Sequence, residues 1–513
     1  MSGNNLINGK DSNNKPQELD FPTQINESVR QDHTGVEELE EMSVDKISFL
    51  KATSHIISNS IPSTLGLSCE SLVYAINLVF IGHLEDRVAL AGVGLGNMMI
   101  IITCFSVGIG LNGAIDTLVS QAYGNKQYYL WGCYLNRGRI VQFMTAPVFI
   151  LFIYSENIFI LMGMDPDVSK EARIYLIYLI PGAIAMCQFE TVRRFLQSMG
   201  IFYISMYVQF TTLVLHIVLW YVFVFQSGMG VKGVSIATTI TYVSTLLIIT
   251  LYLSLKKGFI PPESWHFFNF DSIKNLCEFL KISIFSALML IWEWWVFELT
   301  SLLAGWMSAD ILAANVVIYN FQNFIFQVPS GIWYAVSNLV GRSLGEGKSK
   351  TAFRYLISSI FISIVVSLFF MTFSLTFRKR VAIIYTKDEK VMSLVSDTIP
   401  YFVVGMLFDN IQWVLAGSIR GVGYQNFGSI TSLVSYWFIM LPLWYILGIT
   451  YGLELIGIWL AISIGMIIVC AFLMFGLFYG RWERFAEWSI ERIQQEQNIQ
   501  RDEQQDNQPL VEA

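Results

Sequence analysis

The stretch ISIFSALMLIWEWWVFELTSLLAGWM, residues 282 to 307, decides the fold class of this chain. Its only charged groups are two acids, Glu293 and Glu298, set among tryptophans and phenylalanines. An apolar run of 18 or more residues is long enough to cross a hydrocarbon core of about 30 Å as a helix. In lipid the backbone has to satisfy its own hydrogen bonds, which a helix does within one segment. About twelve such runs follow one another, the first near 56–81 and the last near 453–479.

The composition agrees. The 513 residues are 54% hydrophobic and 14% charged, with mean hydropathy +0.53, against about 25% charge in a soluble domain. Residues 1–47 and 481–513 are polar and rich in Asn, Gln and Glu, and they are expected to be disordered cytosolic tails. No apolar segment precedes residue 46, so no cleavable signal peptide is expected. The net charge of −7 comes largely from these tails and argues against nucleic acid as a partner.

Sliding the second half over the first gives matches at an offset of about 221 to 224 residues, the kind of internal repeat to look for first. LVSQAYGNK (118–126) falls on LVGRSLGEGK (339–348), aligning Gly124 with Gly345. MDPDVSKEARIYLIYLIPG (164–182) falls on KDEKVMSLVSDTIPYFVVG (387–405), aligning Asp165 with Asp388 and Tyr178 with Tyr401. Each half then holds six helices, an even number, so both run in the same sense. The expectation is an all-α membrane protein of two six-helix lobes, 48–255 and 276–480, related by a pseudo-two-fold axis along the membrane normal. A linker at 256–275 joins them along the cytosolic face. Parallel repeats of this kind occur in secondary transporters, with the substrate site near the midplane.

Lys and Arg in the connections number sixteen on the side of the termini and nine on the other, which puts both termini in the cytosol by the positive-inside rule.

Ionisable groups at bilayer depth rarely face lipid and are functional hypotheses by default. Here they are Glu70, Asp116, Glu190, Glu293, Glu298 and Asp409. Glu293 and Glu298 lie near the midplane, but five residues at 100° each separate them by about 140°, so they cannot both point at one cavity centre. Trp294 and Glu298 share a face at i, i+4, a spacing that can hold a cation between a carboxylate and a ring. A carboxyl group in such surroundings can load and release a proton during a cycle. Asp409, with Asn410 and Gln412, is expected to form a polar pocket in the second half. Asp116, within DTLVSQAYG beside Gln121 and Gly124, reads as a local hydrogen-bonding residue, and Glu190 as the salt-bridge partner of Arg193 and Arg194.

Several chemistries find no support. GIGLNG (108–113) fits GxGxxG but lies inside an apolar run with no preceding strand, where dinucleotide binding is not expected. The five histidines are scattered without zinc-ligand spacing, the six cysteines include no CxxC pair, and there is no Walker A sequence. No catalytic residue, metal site or cofactor is expected, and the chain does not read as an enzyme.

GHLEDRVALAGVGLGN (82–97), DTLVSQAYGN (116–125), WEWWVFE (292–298) and GSIRGVGYQ (417–425) together resemble the multidrug and toxic compound extrusion (MATE) transporters, specifically the eukaryotic branch. The resemblance covers about residues 48 to 480. It implies two six-helix lobes around a central cleft, and export of organic compounds, foremost cationic drugs and metabolites, in exchange for protons. The proton gradient would supply the energy. By the same resemblance Glu293, Glu298 and Asp409 carry proton coupling and substrate binding, while Asn97 and Tyr319 line the cavity, to which the spacing of Trp294 and Glu298 adds the Trp294 ring. Bacterial relatives often have a first-helix aspartate where this chain has Asn77, which shifts the expected coupling site to the second lobe. Sodium coupling, organic-anion export, lipid flipping and channel conduction stay open as alternatives. The expected partners are a small organic substrate, H+ and the lipid bilayer of a plasma, vacuolar or other endomembrane, with the protein acting as a monomer.

Overall fold

The computed structural model describes residues 47–82, 86–256, 258–266, 270–386 and 388–506, with side chains as far as residue 499. The expected tail at 1–47 falls, but for residue 47, outside the described residues. The helices of the first half are α1 (Phe49–Gly82), α2 (Arg87–Gly124), α3 (Tyr128–Ile153), α4 (Pro166–Ser198), α5 (Tyr203–Gln226) and α6 (Gly230–Leu255). A 60° bend carries α3 on into Ser155–Leu161. In the second half they are α7 (Leu276–Met307), α8 (Ala309–Gly345), α9 (Ser349–Thr376), α10 (Glu389–Val422), α11 (Gln425–Thr450) and α12 (Glu454–Phe478). Ten are long and apolar enough to cross a membrane, eleven when the bent α3 pair is taken as one span. The remaining helix, α7, has 32 residues and is therefore about 48 Å long.

The repeat is visible in local chemistry. Asp165 caps α4 by accepting from the amides of Asp167 and Val168, and its aligned partner Asp388 caps α10 by accepting from Lys390 and Val391. Each cap satisfies amides that a helix start leaves open. Thr239 of α6 donates to the carbonyl of Tyr178, and Ser463 of α12 donates to that of Tyr401. Packing repeats too: α4 lies on α6 as α10 on α12, α2 on α4 as α8 on α10, and α1 on α5 as α7 on α11.

The halves meet where α8 crosses α1 and α2, with α7 against α2. Within α2, residues Ile101–Ile109 form a π-helical stretch. Such wide turns leave carbonyls without their usual partners, and the indole N–H of Trp295 on α7 donates to the Ile102 carbonyl at 3.2 Å.

The C-terminal segment departs from expectation. Residues 481–513 were expected to be disordered, but Trp482–Asp506 forms a helix, α13. The physical reason is a stripe at helical spacing: Trp482, Phe485, Ala486, Ser489, Ile493 and Glu496 are all buried against the bundle. The abundance of Gln and Glu on the opposite face hides this stripe in composition.

Candidate functional site

Near the middle of α7, Glu293 is buried and its Oε1 accepts from Nε2 of Gln412 on α10 at 2.8 Å. The same nitrogen of Gln412 donates to Oδ1 of Asp409, one helical turn earlier, at 3.3 Å. The other oxygen of Asp409 accepts from Nε2 of Gln322 on α8 at 3.1 Å. Glu293, Gln412, Asp409 and Gln322 thus form one chain of hydrogen bonds across three helices of the second half. The Trp413 indole and the Tyr436 hydroxyl of α11 also face Glu293. Both donors are buried and without a well-formed hydrogen bond among the described residues.

Charge is the unusual property of this cluster. None of the ion pairs among the described residues reaches Glu293, Asp409 or Glu298. A buried carboxylate is costly unless it is paired, protonated or bound to a cation. Two of them joined by one neutral amide make a place suited to protons or a cation. Asn410 does not join them: its amide donates to Ser367 of α9 at 2.9 Å, so the pocket expected from Asp409, Asn410 and Gln412 holds only the first and last.

Glu298 takes a separate position, as the 140° separation requires. It is buried and accepts from the Tyr319 hydroxyl of α8 at 3.3 Å, while Phe297 stacks on the Tyr319 ring. Trp294 packs into an aromatic cluster with Trp333, Tyr334 and Trp413, which also takes in Ile109 and Phe202 of the first half. Asn97 is held in the first half, accepting from the Tyr175 hydroxyl at 3.0 Å. It is not among the residues lining the small cavity between α2 and α4.

The first half holds a second buried cluster, and this one is balanced. Glu70 accepts from Arg193 at 3.1 Å and from Gln209 at 3.2 Å, and Arg193 also pairs with Glu190 at 2.6 Å. Arg194 pairs with Asp116 at 3.0 Å, and Arg420 of α10 reaches the same carboxylate at 3.2 Å. Asp116 is therefore not a local hydrogen-bonding residue: it joins the two halves. Arg194 adds a hydrogen bond to Tyr334 of α8 at 2.7 Å. Asn77, at the position where an acid was lacking, is tied to Thr238 and to His216 at 3.0 and 3.1 Å.

Gln121 and Gly124, the motif residues, sit at the crossing of α2 and α8. Gln121 donates to the Gly421 carbonyl at 2.9 Å and accepts from Arg492 of α13 at 3.0 Å. Gly124 lies so close to Arg342 that an added Cβ would stand 2.2 Å from its carbonyl oxygen. Sequence reasoning missed Gln322, Tyr334, Trp413, Arg420 and Tyr436. It counted Arg137, Arg193, Arg194 and Arg420 among solvent-facing connections, yet all four are almost wholly buried. The spacing of Glu190 to Arg193 and Arg194 did give their pairing, but Arg137 and Arg420 have no acid three or four residues earlier and so carried no local signal.

Comparisons with known proteins converge on one family. The MatE family model matches residues 62–222 and again 286–446, the second match beginning 224 residues after the first. That spacing is the one found within the sequence. The chain is 30% identical over 461 residues to multidrug and toxin extrusion protein 1 of Xenopus tropicalis, covering 89% of this chain and 79% of that protein. It is 28% identical over 430 residues to Protein DETOXIFICATION 3 of Arabidopsis thaliana, covering 83% and 90%. Among solved structures, the eukaryotic MATE transporter AtDTX14 superposes with TM-score 0.83 at 25% identity, covering 87% of this chain and 99% of that one. The duplicated family match, the long alignments and the shared twelve-helix fold make this multi-pass integral membrane protein a transporter rather than an enzyme, and a member of the MatE family of multidrug and toxin extrusion proteins.

Proposed function

We propose that the protein exports organic compounds, foremost organic cations, in exchange for protons, with the Glu293–Gln412–Asp409 cluster as the site that holds proton and substrate in turn. The observation that carries this reading is the pair of buried acids sharing one amide with no basic partner. Facing outward, the cluster takes up a proton and loses its hold on a cationic substrate. Facing the cytosol, it gives up the proton and binds substrate again. The two halves rock to expose the cleft alternately, and the pH gradient supplies the work. Glu298 and Tyr319 form a neighbouring wall, and Trp294 offers an aromatic face. No cofactor takes part, and a monomer suffices.

Both termini are assigned to the cytosol. The basic surplus that supports this shrinks once Arg137, Arg193, Arg194 and Arg420 are counted as buried, yet Lys256, Lys274, Lys281, Lys348 and Lys350 still lie on that face. The membrane is a plasma, vacuolar or other endomembrane.

The test is pH-gradient-driven uptake of a fluorescent organic cation into proteoliposomes, with Glu293→Gln alongside. Uptake that needs the gradient and is lost in the variant supports the proposal. Dependence on a sodium gradient, preference for an organic anion, gradient-free lipid movement or single-channel current would each replace it.

A further inference from the structure

The helix α13 lies across the place where the halves cross, and it touches both. On the first half, Glu496 receives a two-pronged ion pair from Arg137 of α3, at 2.9 and 3.0 Å, with the two side chains 6% and 1% exposed. Arg492, one turn earlier, donates to Gln121 of α2 at 3.0 Å. On the second half, Asn275 just before α7 donates to Glu496 at 2.8 Å. Phe485 packs on Tyr424 in the α10–α11 turn, and Trp482 meets Phe353 of α9 edge-on. The Arg492 guanidinium covers Gly423, where a Cβ would lie 2.9 Å from its Nη1.

Beneath the helix the halves are locked. Thr117 of α2 donates to the Arg420 carbonyl at 2.6 Å, Gln121 to that of Gly421 at 2.9 Å, and Gly124 and Gly345 let α2 and α8 approach backbone to backbone. Opening this face to solvent requires α2 to leave α8 and α10. Gln121, bonded to Gly421, cannot leave the α10 end while Arg492 holds it and packs over Gly423, and Arg137 cannot move with the first half while Glu496 is also bound to Asn275.

We propose that α13 is a strap that holds this face of the transporter closed, and that its release, by parting Arg492 from Gln121 and Glu496 from Arg137, is a required step each time the face opens. A bidentate arginine–carboxylate pair is oriented and strong, and breaking a buried one exposes two charges that water then stabilises. The strap thus has two defined states: docked and dry, or released and hydrated. Its amphipathic pattern suits the second, since the outer face is already rich in Gln and Glu. The assignment of the closed face to the cytosol rests on the orientation proposed above, but the strap itself does not.

Two measurements on the full-length protein in lipid bilayers test it. In the first, hydrogen exchange is followed in Glu496→Gln and Arg492→Gln. Amides at the ends of α2 (113–124) and α8 (338–345) should exchange about tenfold faster, while those around Glu293 keep their rates. Unchanged exchange at α2 and α8 overturns the proposal, and so does a uniform rise throughout the bundle, which marks general destabilisation.

In the second, cysteines replace Gln121 and Arg492 in a Cys277→Ser background, Cys277 being the one exposed native cysteine among the described residues. A short bis-maleimide then joins them, so the contact is held rather than lost. Exchange at 113–124 should fall below that of the unlinked protein, and organic-cation transport should drop at least tenfold. Linked protein that transports at the unlinked rate refutes the strap. Because exchange needs no substrate, it decides the question even if the organic cation is not carried. Adding an impermeant form of the reagent to either side of the bilayer reports the orientation separately.

Discussion

Gly124 and Gly345 are aligned by the internal repeat, and each presses into the other's helix: a Cβ on Gly124 would meet the Arg342 carbonyl at 2.2 Å, and one on Gly345 the Gln121 carbonyl at 2.0 Å. Residue i touches the neighbourhood of j and j that of i, the mark of a contact on a two-fold axis. Here the axis runs within one chain, between two copies of one motif.

Alanine at either glycine should therefore cost about the same, roughly 1–3 kcal/mol for forcing two tightly packed backbones apart. The double substitution should cost less than the sum of the two, because one displacement relieves both clashes. Thermal unfolding of the purified protein checks this; full additivity would place the glycines in separate contacts.

Asp116 faces two arginines, Arg194 and Arg420, and none of these groups is solvated. Asp116→Asn keeps the shape but takes from Arg420 the acid it pairs with and leaves Arg194 only Glu190, 3.6 Å away. The expected loss is about 3–5 kcal/mol, seen as a lower unfolding temperature and poor yield. Combining it with Arg420→Met should recover part of the loss, and failure to do so would mean that the pair is not energetically coupled.

The acids of α7 and α10 should separate by role. Glu293→Gln and Asp409→Asn each remove a carboxylate from the cluster that shares Gln412, and both should abolish gradient-driven transport. Glu298→Gln keeps a side chain able to bond Tyr319 and should raise KM with kcat largely retained, the signature of lost uniform binding. Equal loss of kcat in all three would place Glu298 in the coupling step.

Outside the spans, Asp271 of the linker is held below its ordinary carboxylate range, first by the hydrogen bond from Lys274 and then by that from Tyr129. A depressed acid stabilises what it holds above its unfolded pKa, and that contribution is lost as pH falls through the folded value. Acidification to below the usual carboxylate range should thus loosen the linker from α3, with faster proteolysis near 256–275. In Asp271→Asn the linker should be loose already at neutral pH and insensitive to acid.

Much of this architecture was legible in the sequence for a reason of solvent. A run such as 282–307 has a single stable form in lipid, so length and polarity are enough to place a helix. Asp165 and Asp388 were aligned before their capping roles were visible. What stayed hidden were side-chain pairings: Asp116 meets Arg194 78 positions away and Arg420 304 positions away, distances at which no local pattern survives. The buried face of α13 was hidden differently. Its stripe from Trp482 to Glu496 is periodic, but the Gln and Glu around it read as a solvated tail. In the site itself, Glu293 and Asp409 stood out as lone charges and Gln412 was read beside Asp409, but its link to Glu293 was not visible, and Gln322, which bonds Asp409, is neutral and gave no such contrast.

The arginine of α10 also bears on the order of synthesis. When the first six helices leave the ribosome, the cluster of α1, α2 and α4 holds three acids, the half-buried Glu70 and the buried Asp116 and Glu190, and two buried arginines, Arg193 and Arg194, while Arg137 lies apart, in its pair with Glu496. That cluster is one positive charge short, and the missing charge is Arg420, more than two hundred residues further on. The early half must wait, with Asp116 still wet, until the tenth helix arrives to complete it. Chains split at the linker and made as two pieces should accordingly depend on each other for survival in the membrane, the first piece more than its hydrophobicity alone would suggest.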